Sequence, residues 1–463
     1  MVDRLRAVDA SFLYAENATT PMHVGEVLIM SPPRGGLSYE RFVTLVNDRL
    51  ALVPRYRQRI MQVPGRIANP VWVDDTEFDI SYHVRRSALP APGSNEQLAE
   101  LASRLMSRRL DRDRPLWEAY FVENLKGGRI GLIVKAHNTL VDGIAALGIS
   151  DILLDNAKIT PIPSALEWRP RPTPSPVQLM VDAVKDYAQH PRTAVETIRT
   201  GATDARATMS QIVETVGGAV AAARSVARPP EPSPLNVPIG SARRYAIVQT
   251  DLAPYRAIRE RQGCSVNDVA LAVVAGALRT WLLARGQTVR NSTMLRAMLP
   301  TTVRRTAPSG QRSQSISALF VDLPIGEPHA LIRLSQITFA NSAHRTSGQA
   351  VGAQALINLA GIAPPTLHSL AARAATKRTD RMYNLVITNV PGPQRPLYIA
   401  GCRVREMYPV VPLTGNQALA VGLTSYNGKV FYGLNADRDA MGDVHELGVM
   451  IEESLSELTD LCQ

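Results

Sequence analysis

Residues Lys135–Gly143 read KAHNTLVDG. His137 can take up and return a proton near neutral pH. Asn138 beside it can donate and accept hydrogen bonds but does not titrate in that range. Asp142-Gly143 closes the stretch as a turn pair that can cap a helix running from Ile144. A strand-end histidine suits acyl transfer from a thioester to an alcohol. The hydroxyl proton must be removed as its oxygen attacks, the tetrahedral oxyanion must be stabilised, and a thiolate leaves without a strong acid. Two readings of His137 stand, a working base and a satisfied structural histidine. Adjacent side chains on an extended strand point to opposite faces, so His137 is expected to look away from Asn138.

The chain has 463 residues, 45% hydrophobic and 20% charged, a length and composition suited to two globular domains. Its net charge of +10 is almost all arginine, since six of the 51 basic residues are lysine. A positive surface suits anionic lipid or the phosphates of a nucleotide-bearing substrate, and a biased arginine-rich composition explains it equally well. Dispersed arginines and 5% aromatic content argue against nucleic acid. Cys264, Cys402 and Cys462 lack disulfide or zinc spacing, which fits a reducing compartment. The N-terminal stretch has no apolar signal-like region, and the longest apolar run is broken by Arg279. A cytoplasmic protein is expected. No phosphate loop, metal-ligand cluster or Gly-x-Ser-x-Gly elbow occurs, so neither a metal nor a covalent serine is expected.

Several elements must position the motif. HVGEVLIM and IGLIVKAH are short β-rich runs, with a helix between them in SNEQLAELASRLMSRRL that Ser94 can cap. GIAALGISDILLDN is helical in period, so the first half alternates strand and helix. Arg169–Pro176 and Ala227–Pro238 are proline-rich, with helical stretches Val177–Gln189 and Thr193–Val226 between them. These helices read as an inter-domain crossover, either packed on the protein or lying on a membrane surface. The second half opens with a strand in ARRYAIVQTDL, then a helix over SVNDVALAVVAGALRTWLLARG. Ser265 and Asp268 have capping-box spacing there, and Gly286 closes the helix. ISALFVDLP and YNLVITNVPGP are further strands, ALAVGLTSYNGKVFYGLNAD is a hairpin, and the C-terminus is an amphipathic helix.

His137, Asp142 and Gly143 resemble the HHxxxDG motif of the bacterial wax ester synthase/diacylglycerol acyltransferase family, within the CoA-dependent acyltransferase superfamily. Asn138 stands where the second histidine would. The resemblance runs along nearly the whole chain through Val8–Glu16, Thr20–Gly25, the PLW motif at Pro115, Leu116 and Trp117, Arg243–Tyr245, Asn267–Asp268 and Asn389–Pro393. It implies two chloramphenicol-acetyltransferase-like α/β domains with mixed sheets and a tunnel at their interface. The divisions would be 1–168, a crossover at 169–240, and 241–463. In that tunnel an acyl-CoA and an alcohol acceptor would meet at position 138. The resemblance places His23, the PLW residues, Asn267, Asp268, Asn389, Pro391 and Gly392 beside the substrate, and gives Asp142 a buried arginine partner that holds the histidine segment.

Each of these residues has a plainer reading. His23 fits a structural histidine entering a strand, Trp117 and Phe121 fit the core, Asp268 fits a helix cap, and Asn389–Pro393 a tight turn. Loss of a general base typically costs ~10²–10⁴ in rate, so weak activity can survive at Asn138. Three functions follow. The first is an acyltransferase using acyl-CoA as co-substrate, with diacylglycerol or a fatty alcohol as acceptor. The second is a non-catalytic homologue that binds acyl-CoA or neutral lipid, at the inner membrane face or a lipid droplet. The third is a condensing acyltransferase with an amine or carrier-bound acceptor.

Overall fold

The computed structural model describes residues 3–141, 149–158, 168–189, 230–306, 312–347 and 382–462. Asp142, Gly143 and the expected helix over Thr193–Val226 lie outside these residues. The first half runs β1 (Asp3–Arg4), α1 (Ala7–Ala15), β2 (His23–Ser31), α2 (Tyr39–Arg49), β3 (Gln58–Met61), β4 (Val71–Asp74) and α3 (Ile80–His83). It continues with β5 (Val84–Ala88), α4 (Asn95–Ser107), β6 (Trp117–Leu125), β7 (Arg129–His137), α5 (Asn138–Val141), α6 (Ile149–Leu153) and α7 (Pro176–Gln189). The second half runs β8 (Arg243–Asp251), α8 (Leu252–Gln262), α9 (Val266–Ala284), β9 (Leu295–Thr306), β10 (Arg312–Leu323) and α10 (Ala330–Ser347). It ends with β11 (Leu385–Pro391), β12 (Tyr398–Ile399), β13 (Cys402–Val410), β14 (Leu419–Tyr426), β15 (Lys429–Asp437) and α11 (Val444–Leu461).

Two six-stranded mixed sheets carry the architecture, in the orders β12-β13-β2-β7-β6-β5 and β10-β9-β11-β14-β15-β8, with a small third sheet β1-β4-β3. β5–β6, β9–β11 and β11–β14 are parallel; the other pairings in the two large sheets are antiparallel. β7 is buried on both faces, which is why its sequence is a continuous apolar run rather than an alternating one. The first large sheet is not built from the first half alone. β13 pairs antiparallel with β2, and Val404, Tyr408, Tyr426 and Phe431 complete the core around β2 and β7. A division by sequence therefore does not divide the sheets.

Local chemistry sets several element ends. The Ser94 hydroxyl accepts the Gln97 N–H, and the Gln97 side chain accepts the Ser94 N–H, a complete capping box at the start of α4. Ser265 and Asp268 do the same for α9. α9 is long and apolar enough to cross a membrane, yet Val269–Leu278 are buried in the core of the second half. The β14–β15 turn places both Asn427 (φ 46°) and Gly428 (φ 81°) in the left-handed region, as a two-residue hairpin turn of this hand requires.

Candidate active site

β7 delivers His137 as its last residue, and α5 starts at Asn138. The His137 N–H donates to the Leu116 carbonyl at 3.0 Å on the β6 side, and the Asn138 N–H to the Met22 carbonyl at 2.9 Å on the β2 side. The junction is thus clamped between its two neighbouring strands. One residue on, the Thr139 N–H donates to His137 Nδ1 at 3.1 Å, and the Thr139 hydroxyl donates to the Asp9 carbonyl at 2.9 Å. An N–H can only donate, so Nδ1 is the acceptor and Nε2 carries the proton. That Nε2 lies 3.5 Å from Glu16 Oε2. His137 is 1% exposed. Burial lowers its pKa despite the nearby carboxylate, so the ring is held neutral, with Nδ1 hydrogen-bonded and Nε2 turned towards Glu16 without a hydrogen bond among the described residues. Nδ1 is thus occupied, and Nε2 is the ring nitrogen left without a hydrogen bond.

Glu16 follows the end of α1, and its side chain is 2% exposed. Burial alone would raise its pKa, but His137 and Arg112 outweigh it and hold the carboxyl well below the usual range. Arg109 Nε reaches Oε1 at 3.0 Å, and Arg112 Nε reaches Oε2 at 3.0 Å. His23 stands opposite His137 in the β2–β7 register, with the rings edge to face and 6.1 Å between centroids. Its Nε2 accepts the Leu110 N–H at 3.3 Å, and burial pushes its pKa well down. On the same face, buried Lys135 reaches the α4 carbonyl of Leu105 at 3.1 Å and the Arg108 carbonyl just past the helix end at 2.6 Å, with Glu118 Oε2 at 3.4 Å. An ammonium at a helix C-terminus meets both its free carbonyls and the negative end of its dipole. Neither Glu16 nor Lys135 stood out as functional in the sequence. The signal for Glu16 was its place at the end of an apolar helix, with Arg109 and Arg112 at helical spacing downstream.

Asn138 is half-buried, and its side chain meets no hydrogen-bond partner among the described residues. Its carboxamide is free to donate to a developing oxyanion and to accept from a hydroxyl, but not to take a proton.

The other candidates separate into groups. Pro115, Leu116 and Trp117 are buried; the Trp117 indole N–H donates to the Tyr56 carbonyl at 2.8 Å and the ring stacks on His83 at 4.7 Å. Trp117 and Phe121 are therefore core side chains and present no surface to a channel. Asp268 is consumed by its cap and by Asn341, whose amide donates to it at 2.6 Å. Asn267 and Asn389, far apart in sequence, are brought together: the Asn389 amide donates to Asn267 Oδ1 at 2.9 Å and ties the end of β11 to the start of α9. Pro391 ends β11, and a Cβ on Gly392 would lie 2.7 Å from the Ser425 carbonyl, so the close strand approach there needs glycine. Among the described residues no group of three His, Cys, Asp or Glu could hold a metal.

The model of the wax ester synthase/diacylglycerol acyltransferase catalytic domain matches residues 5–270, and that of the C-terminal domain of the same family matches 314–459. A Mycobacterium tuberculosis protein described as a diacylglycerol O-acyltransferase is 44% identical over 265 residues, covering 57% of this chain and 98% of that protein. A second from the same organism, similarly described, is 31% identical over 99% of this chain and 90% of its own length. Among solved structures, the wax ester synthase/diacylglycerol acyltransferase of Marinobacter aquaeolei superposes with a TM-score of 0.70, at 26% identity and 99% coverage of both chains. The starter condensation domain of rhizomide synthetase, solved with C8-CoA and Leu-SNAC, shares the fold alone, with a TM-score of 0.57 at 12% identity over 100% of this chain and 94% of that one. The two-domain α/β fold expected from the sequence is the fold these structures share.

Proposed function

Because the chain belongs to the wax ester synthase/diacylglycerol acyltransferase family, we propose that it is an acyltransferase moving a long-chain acyl group from acyl-CoA to diacylglycerol or a fatty alcohol, and that position 138 limits its turnover. In this reaction the acceptor oxygen forms the new ester bond, the thioester C–S bond breaks, and CoA leaves as thiolate. The hydroxyl proton then has to reach water or that thiolate, because Asn138 can hold it in a hydrogen bond but cannot accept it. The carboxamide also serves as a donor to the oxyanion, so part of the catalysis survives. The observation that carries this reading is the β7–α5 junction. His137 is buried and neutral, its Nδ1 occupied and its Nε2 turned towards Glu16, and Asn138 beside it has no base.

The same observation favours a second reading, a homologue that binds acyl-CoA or neutral lipid without turning it over. Product formation separates the two. Wild type, Asn138→His and His137→Ala would be given a long-chain acyl-CoA with diacylglycerol, and separately with a fatty alcohol, while free thiol and ester are measured. Slow ester formation that rises at least about tenfold in Asn138→His supports the slow acyltransferase. Acyl-CoA binding with no ester in either protein supports the binding role. An active wild type abolished only by His137→Ala would restore His137 as the base.

We place the protein in the cytoplasm, at the inner membrane face or on a lipid droplet. Support comes from α7, where Leu179 and Ala183 pack on Val63, Ala68, Val71 and Val73 while Val177, Met180, Val181 and Val184 form an exposed apolar stripe at helical spacing. Three free cysteines agree with a reducing compartment.

A further inference from the structure

A cleft of about 380 Å³ lies beside the β7–α5 junction, between α1, β3 and the segment leading into β6. Its apolar side is Ile60 and Met61, both partly exposed, while Leu13 and Leu116 are nearly buried at its edge. Three arginines, Arg59, Arg66 and Arg112, line the rest with Gln62 and Asp113. Arg112 is already committed, to Glu16 and to the Leu13 carbonyl. Arg59 and Arg66 meet no carboxylate among the described residues. Asp113 offsets one of these two charges, which leaves the cleft one positive charge in excess beside an apolar wall.

Two further features point the same way. Arg66 follows Gly65 (φ 67°) and is itself left-handed at φ 52°, a conformation uncommon for a long side chain and frequent at ligand clamps. The turn that carries it, Pro64–Arg66, packs against α7, the helix with the exposed apolar stripe. The volume lies at the small end of ordinary ligand sites, about 300–1,000 Å³, and is too small for a whole acyl-CoA.

We propose that this cleft binds a single-chain amphiphile with one anionic head, its tail on Ile60 and Met61 and its head between Arg59 and Arg66. A buried chain supplies the apolar contact, and a carboxylate or phosphate supplies the negative charge for the one positive charge that Asp113 leaves in excess. The site is separate from position 138 and does not require turnover there. It does touch the catalytic junction, because Arg112 in its wall also holds Glu16 against His137.

The test is isothermal titration of the full chain with decanoate, decyl phosphate and decanol, each below its aggregation threshold. The expected result is that Arg59→Gln/Arg66→Gln weakens an anionic probe at least about tenfold while leaving decanol unchanged, and that added salt weakens the same probe. Arg59→Lys/Arg66→Lys keeps the charge and should retain most of the affinity, which separates charge loss from misfolding. A loss confined to decanoate assigns free fatty acids, one confined to decyl phosphate assigns phosphorylated lipids, and a loss for both assigns the shared chemistry. Unchanged affinity for both anions in the glutamine variant, or an equal loss for decanol, overturns the proposal.

Discussion

His137 Nε2 faces Glu16 Oε2 at 3.5 Å, and this contact joins the residue after the first helix to the last residue of a central strand. The carboxylate keeps the imidazole turned inward, while the Asn138 side chain beside it is half-buried and meets no hydrogen-bond partner among the described residues.

Glu16→Gln removes the charge that Arg109 and Arg112 share. Both arginines are partly exposed and can rehydrate, so the loss should be about 1–3 kcal/mol rather than the larger cost of a fully buried pair. Denaturant unfolding gives the number. In an Asn138→His background the same change should also reduce the regained turnover, because the junction is no longer held. Full turnover with Glu16→Gln in that background would show that the contact is dispensable.

Acid should destabilise the fold from the histidine range downward. Burial pushes His23, His83 and His137 below their ordinary pKa. Below about pH 6.5 the unfolded chain therefore binds protons that the folded chain refuses, and each such group costs about 1.4 kcal/mol per pH unit. Stability is full above that range and falls as the pH drops towards the folded-state values. Glu16 adds to this: its depressed pKa contributes stability above the ordinary carboxylate range that is lost as pH falls through the folded value. A thermal midpoint that stays flat between pH 7.5 and 5.5 would contradict the assignment of these rings as buried and neutral.

Lys135→Met should destabilise by about 3 kcal/mol, because it strips the C-terminal carbonyls of α4 and leaves Glu118 buried with less compensation. Tyr120, whose hydroxyl donates to Glu118 at 2.7 Å, remains to absorb part of that loss. The double variant Lys135→Met/Glu118→Gln should recover some of the stability, and strict additivity in that cycle would argue against a coupled pair.

Val181→Asp/Val184→Asp places two carboxylates in the exposed stripe of α7. The fold should survive, since Leu179 and Ala183 make the packing contacts. Flotation with triolein emulsions or anionic vesicles should fall at least about tenfold. Undiminished flotation would remove α7 from any account of lipid contact.

Much of this protein follows from local chemistry that the sequence carries openly. The capping boxes at Ser94 and Ser265, the Asn427-Gly428 hairpin and the apolar runs of β2 and β7 each depend on residues close together in the chain, so spacing alone determined them. The replacement at Asn138 is equally a sequence fact, and its chemical consequence needs only the difference between a carboxamide and an imidazole. What the tertiary structure decided lies in pairings across long stretches of chain. β13 completes the first sheet from the second half, and Asn389 meets Asn267. Glu16 and Lys135, of types that ordinarily face water, became buried anchors because helix ends and arginines closed over them. His137 could be read as base or anchor from its letters. Only the Thr139 N–H on one ring nitrogen and Glu16 near the other fixed how that ring is turned, because a ring's tautomer and orientation follow from what its two nitrogens meet.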